Sequence, residues 1–311
     1  MLSELHLSKT AVFVVALFII GACTSTSSET SVEGDEPPVE EPAPDPFTTA
    51  VEDADEAWED RGAPSQADRS IAAWNRALET AEADERDDGE IAAIYESLAR
   101  AHYFVARYLE ADGPDVDADS DIDDDVDAGL EAAVAAIELR APDFRRAIDA
   151  GAPFESQLPE VPDGAVDAFL WYAKLLALHT SIDSVATGVA NTPLVDSIME
   201  SIAERAPEAH HGAAHRYFGV RHVDRPLHRD EEASRQAFDE SLDTAPDFLM
   251  TRLLRARFLA TFTDDRAAFE DELQTVADSA PDILPEAAPE NAVVRQWAAD
   301  ILERGDEFFD N

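Results

Sequence analysis

Ala-Pro followed by an acidic residue occurs four times in this chain, at Ala141-Pro142-Asp143, Ala206-Pro207-Glu208, Ala245-Pro246-Asp247 and Ala280-Pro281-Asp282. The prolines stand 65, 39 and 35 residues apart, and the last two gaps approach the ~34-residue period of tetratricopeptide-type helical repeats. Proline cannot donate a backbone hydrogen bond and clashes with the turn before it, yet its fixed φ suits the first turn of a new helix. Each Ala-Pro is therefore expected to be a tight joint between two helices. One helical pair has more apolar surface than it can bury alone, so neighbouring pairs must stack into a superhelix with one concave face. Folds of that kind bind more often than they catalyse.

Periodicity supports the same architecture. Ile91, Ile94, Tyr95, Leu98, His102, Val105 and Leu109 fall on one face of a helix, and no segment alternates as a half-buried strand does. The pattern predicts helices near 50–60, 65–85, 88–110, 124–140, 164–189, 193–205, 208–222, 230–244, 247–262, 265–279 and 289–309. The fold class is all-α, a tetratricopeptide-like superhelix of about five antiparallel pairs plus a C-terminal helix. The repeats are degenerate. An apolar residue stands five positions before the proline at Ile137, Ile202 and Val276 but four before it at Leu242.

The N-terminus carries a second signal. Ala11 to Ile20 is an unbroken apolar run, followed by Gly21, Ala22 and Cys23, the only cysteine. The run is too short for a bilayer span of about 20 residues and fits the core of a secretory leader. Ile20-Gly21-Ala22-Cys23 resembles the bacterial lipobox, so residues 1–22 are expected to be a cleaved leader and Cys23 to carry a diacylglycerol. No thiol is then left for a disulfide, a metal or a nucleophile. Ser25 to Pro46 is rich in Ser, Thr, Glu and Pro and offers almost nothing to bury, so residues 23–49 are expected to be an extended tether. The helical domain is expected over 50–311. Thr24, not Asp, follows the cysteine, which favours the outer membrane by analogy with enteric sorting.

The formal charge is −45, and Lys9 and Lys174 are the only lysines. Nucleic acid is excluded as a partner, because binding it requires a basic surface that displaces counterions. An acidic excess of this size more often confers solubility than marks a site. The Asp-rich run from Asp115 to Asp125 suggests calcium, but no register supplies both the glycine and the final acid of an EF-hand loop, so it is expected to be a solvated loop.

Few residues suggest chemistry. His211, His215 and His222 are spaced to share one helical face, yet the glutamate of His-Glu-x-x-His is absent, and no metal is expected. His102 and His179 are expected to be partnered core histidines. Lys174 lies within the apolar run Phe169 to Leu176. A lysine there must find a carboxylate, expected to be an internal ion pair, or snorkel outward; the sharper reading is an anchor for an anionic ligand or for a partner's carboxylate. No Gly-rich phosphate loop or nucleophilic triad is present, and neither an enzyme nor a cofactor beyond the lipid is expected.

From about Val126 to the C-terminus the chain resembles the T component associated with TRAP (tripartite ATP-independent periplasmic) transporters. The matching residues are Gly129 to Ala133 with Ala141 to Phe144; Phe169 to Ala173; Glu208 to His215 with Tyr217-Phe218-Gly219 and Arg225-Pro226; and Glu290-Asn291-Ala292 through Trp297, Ala298 and Leu302 to Phe309. Where the family tends to have Gly-Gly after Arg-Pro, this chain has Leu227-His228-Arg229-Asp230. The resemblance implies a periplasmic lipoprotein without catalysis, built from tetratricopeptide-like helices. It also implies a trimer that engages the transporter's solute-binding protein. A generic envelope-assembly lipoprotein is the competing reading.

A partner or ligand groove is expected on the concave side, on helices 164–189, 208–222 and 247–262. These gather Trp171, Tyr172, Lys174, His211, His215, Arg216, Tyr217, Arg252 and Arg255 in a chain short of cations, and aromatics and arginine dominate interface hot spots.

Overall fold

The four Ala-Pro dipeptides fall where helices end: Arg140, Arg205, Thr244 and Asp278 close the helices before them. The structure, a computed structural model, describes residues 45–81, 86–115, 122–183, 185–225 and 227–309. The expected leader, Cys23 and the tether up to residue 44 lie outside the described residues, as do 116–121 of the acidic loop. From Pro46 onward the residues form one compact unit.

Among the described residues the unit is wholly helical, without strands. Its helices are α1 (Pro46–Glu59), α2 (Pro64–Ala81), α3 (Asp88–Phe104), α4 (Asp123–Arg140), α5 (Pro142–Asp149), α6 (Phe154–Gln157), α7 (Val166–Ile182), α8 (Val185–Arg205), α9 (Ala209–Arg221), α10 (Glu231–Thr244), α11 (Met250–Leu254), α12 (Arg266–Asp278) and α13 (Ala288–Glu303). Two stretches, Val105–Glu110 after α3 and Arg255–Ala260 after α11, are π-helical. No described helix is long and apolar enough to cross a membrane.

Local chemistry sets several starts. Pro142 opens α5 at its first turn. The Asp87, Asp230 and Asp265 side chains accept from backbone amides in the first turns of α3, α10 and α12, each such cap contributing about 1 kcal/mol. Three boundaries depart from expectation. The break placed near 190 falls instead at Asp183, and α8 runs through Pro193. The proline removes one hydrogen bond from a helix whose buried face, including Val195, Ile198, Met199 and Ile202, holds it in place. The second departure is α1, which begins at Pro46 because Phe47 and Ala50 are already buried. The third is α5, which was not expected at all.

Helices α3 and α4 pack antiparallel, as do α9 and α10. Arg140 near the end of α4 pairs with Glu96 in α3 at 2.9 Å, while Asp125 near its start meets His102 at 2.5 Å. In α9 and α10 two buried serines reach two glycine carbonyls: Ser234 Oγ donates to Gly219 O at 2.6 Å and Ser241 Oγ to Gly212 O at 3.2 Å. A Cβ at Gly219 would stand 2.7 Å from the Phe238 ring, so glycine there is what lets the two helices approach. Helix α7 is hydrophobic nearly all round and packs on α3, α4 and α8, as a fully buried helix must.

Residues from the two ends of the unit also meet. Arg61, after α1, makes a bidentate pair with Glu290 in α13 at 2.7 and 3.0 Å. Tyr108 stacks on Trp297 with ring centres 6.0 Å apart.

Candidate functional site

The apolar helix α7 forms one wall of a cavity of about 610 Å³, a volume typical of sites for small organic ligands. The remaining walls come from the end of α3 with its π-helical turn, from α8, from α9, and from α11 with its π-helical turn. Both π-helical stretches thus border the same space, the first supplying Arg107 and the second Arg257 and Phe258. Such turns are frequent at functional sites, because the extra residue re-aims the side chains around it.

Three cations line this cavity without a carboxylate within ion-pair distance among the described residues: Arg107, Lys174 and Arg216. The Lys174 ammonium lies 4.0 Å from the centre of the Tyr103 ring and 4.2 Å from that of Trp171. Arg107 donates to the carbonyls of Gly113 and Pro114 at 2.8 and 3.0 Å and lies over Trp297. Arg216 is 7% exposed and lies 4.6 Å over Phe248. Burial, together with the nearby Arg216 and Arg107 guanidinium groups, holds the Lys174 pKa well below its ordinary value, with Glu290 acting the other way. Burial lowers Arg216 as well.

Magnitudes show that Lys174 is incompletely compensated. Desolvating an ammonium costs several kcal/mol, while a desolvated cation–π contact returns about 2 kcal/mol. Neighbouring guanidinium groups add repulsion, leaving the free cavity short of negative charge.

Arg216 is fixed by an unusual local backbone. His210, His211 and Gly212 take φ of 47°, 59° and 71°, a left-handed turn at the start of α9. This conformation costs a non-glycine residue roughly 1–2 kcal/mol. It aims two carbonyls at one guanidinium: Arg216 donates to His211 O at 2.8 Å and to His210 O at 3.3 Å. The His210 ring meets Trp171 at 4.0 Å, and burial followed by Lys174 depresses its pKa well below the ordinary imidazole value.

Two carboxylates, Asp115 and Asp224, also line the cavity. Asp115 pairs with Arg257 at 2.8 Å. Burial raises Asp224, against the pull of Arg257 and with the added push of Asp115. Asp196 binds Arg221 through both oxygens and accepts from the Tyr217 hydroxyl at 2.6 Å.

Of the residues expected to form a groove, Lys174, Arg216 and Tyr217 line this cavity and Trp171 backs Lys174. The rest lie apart from it. Tyr172 is buried, His211 stacks on Phe248 at 4.7 Å, and His215 pairs with Glu240 at 2.9 Å. Arg252 pairs with Glu272 at 2.9 Å and Arg255 with Asp239 at 3.1 Å. The shared helical face expected for His211, His215 and His222 does not form, because the left-handed turn takes His211 out of the helix. Among the described residues Lys174 makes no internal ion pair, and His179 Nδ1 is buried without a hydrogen-bond partner.

Tyr103, Arg107 and Arg257 were not anticipated. Arg107 and Arg257 lie in the π-helical turns, outside the 100° register of a regular helix, while Tyr103 stands just before the first of these turns, at the end of α3. A usable signal was present nonetheless: Arg107 interrupts the apolar run Tyr103 to Leu109, much as Lys174 interrupts its own.

Helices enclosing one cavity that holds uncompensated cations define an all-α, cavity-bearing chain. The family model for the TRAP transporter T-component matches residues 126–309, and the chain belongs to that family. No curated protein matches the chain. Most of the cavity wall falls inside the matched segment, but Tyr103, Arg107, Pro114 and Asp115 precede it.

Proposed function

We propose that this chain is a non-catalytic accessory of a TRAP-type transporter, which engages the transporter's secreted solute-binding protein and assists solute uptake. The observation that carries this reading is the family match over 126–309. The helical pairs are taken to be tetratricopeptide-like repeats stacked as a superhelix, and the assembly to be a trimer. A diacylglycerol on Cys23 holds the chain on the periplasmic side of the outer membrane. The lipobox-like Ile20-Gly21-Ala22-Cys23 supports the anchor, and the acidic balance suits a domain held away from an anionic surface.

Arg252 and Arg255, with side chains 30% and 23% exposed, belong to the surface proposed for the partner. Affinity isolation from envelope extracts tests the reading. Recovery of a solute-binding protein is expected, with weaker recovery for Arg252→Ala with Arg255→Ala. Recovery of envelope-assembly factors alone would favour the competing lipoprotein role. Cys23→Ser is expected to leave the membrane fraction or remain unprocessed, and a wild-type chain free of lipid label would remove the anchor.

A further inference from the structure

We propose that the cavity binds an organic monocarboxylate: Lys174 and Arg216 take the carboxylate with Arg107 beside them, and Leu178, Met199 and Phe258 enclose an apolar body. The argument begins with scarcity. The chain has 68 acidic residues against 23 lysines and arginines, so a cation without an acidic neighbour is unexpected, yet three of them line one space. A carboxylate entering there would replace the missing counter-charge with charge-assisted hydrogen bonds, the strongest kind available to these side chains.

Pre-organisation points the same way. Arg216 is held by the left-handed His210–Gly212 turn before any ligand arrives, so little ordering remains to oppose binding. The Tyr103 hydroxyl, which has no hydrogen-bond partner among the described residues, adds a donor at the same wall. The apolar part of the lining, from Leu178, Met199, Leu254 and Phe258, suits a ligand that carries an apolar body. A single charge is favoured because Asp115 and Asp224 also reach the cavity and would repel a second carboxylate.

This inference deepens the transporter reading by naming a ligand class, yet its test needs no partner protein, so the two can fail separately. The purified full chain is titrated calorimetrically with octanoate and 3-phenylpropionate, with the matched alcohols, and with octanedioate. At least one monocarboxylate should bind saturably, and at least tenfold more tightly than its alcohol, the loss expected when a charge-assisted hydrogen bond is removed. Lys174→Met should weaken the acid at least tenfold with unchanged circular dichroism, and Lys174→Arg should retain most of the affinity. Failure of both acids to bind, equal affinity for acid and alcohol, or an unaffected Lys174→Met variant would overturn the site. Octanedioate binding as tightly as octanoate would overturn the single-charge assignment.

Discussion

The ammonium of Lys174 lies 4.0 Å from the centre of the Tyr103 ring, joining α7 to the end of α3 through a cation–π contact. Tyr103 precedes the segment that matches the family, whereas Lys174 lies within it. The region before Val126 therefore completes the cavity. An aromatic face stabilises a cation without neutralising it, so the lysine keeps its capacity to pair with an incoming anion.

Lys174→Met is expected to stabilise the free chain while impairing acid binding. The variant keeps an unbranched side chain one atom shorter and removes the desolvation cost, so a gain of about 1 kcal/mol would raise Tm by roughly 2–4 °C in a domain of this size. The sign with pH follows from the depressed pKa of Lys174. Between that folded value and the ordinary one the unfolded chain binds the additional proton, so wild-type stability rises with pH through this window. The advantage of the methionine variant should shrink accordingly toward pH 10. Paired thermal melts between pH 6 and pH 10 check this, and an advantage that widened would contradict it.

Gly212→Ala should destabilise the fold and disturb Arg216 together. The position has φ of 71°, and an added Cβ would lie 3.1 Å from Ser241 Oγ and 3.2 Å from Ser241 Cα. The backbone term alone is roughly 1–2 kcal/mol, and the crowding against buried Ser241 adds to it. Urea unfolding should show a lower midpoint. Gly113→Ala, where a Cβ meets nothing within 4 Å, should leave the midpoint nearly unchanged.

Salt should stabilise the chain. A net charge of −45 makes self-repulsion large, and 0.15 M salt screens it to a Debye length of ≈ 8 Å. Several ion pairs would weaken at the same time, but pairs such as Arg304–Glu307, with side chains 61% and 59% exposed, contribute little. Tm measured from 20 to 500 mM sodium chloride should rise; a fall would mean that surface pairs outweigh net repulsion.

The helices were legible in the sequence because proline and apolar period report on local backbone and burial. Ala141-Pro142, Ala206-Pro207, Ala245-Pro246 and Ala280-Pro281 all stand at helix ends. Pro193 misled, since packing of the surrounding helix outweighs one lost hydrogen bond. The site was half legible. Lys174 and Arg216 stood out as cations among apolar neighbours, whereas Arg252 and Arg255 were chosen in place of Arg257. That choice rested on the scarcity of cations in helix 247–262, and of its arginines Arg257, in the π-helical turn Arg255–Ala260, is the one that lines the cavity. The left-handed turn at His210 and His211 was not visible, because those residues rarely adopt it without tertiary support.

The central claim is that Lys174 is an uncompensated cation awaiting a carboxylate, and the sequence makes it directly observable. Lys9 and Lys174 are the only lysines, so NMR of the chain labelled with ¹³Cε-lysine gives at most two signals, with Lys174→Met assigning the one from the cavity. The account predicts that the Lys174 signal titrates well below the ordinary lysine value of about 10.4 and shifts upward when octanoate or 3-phenylpropionate is added. A Lys174 signal that titrates at the ordinary value and ignores both acids would contradict it.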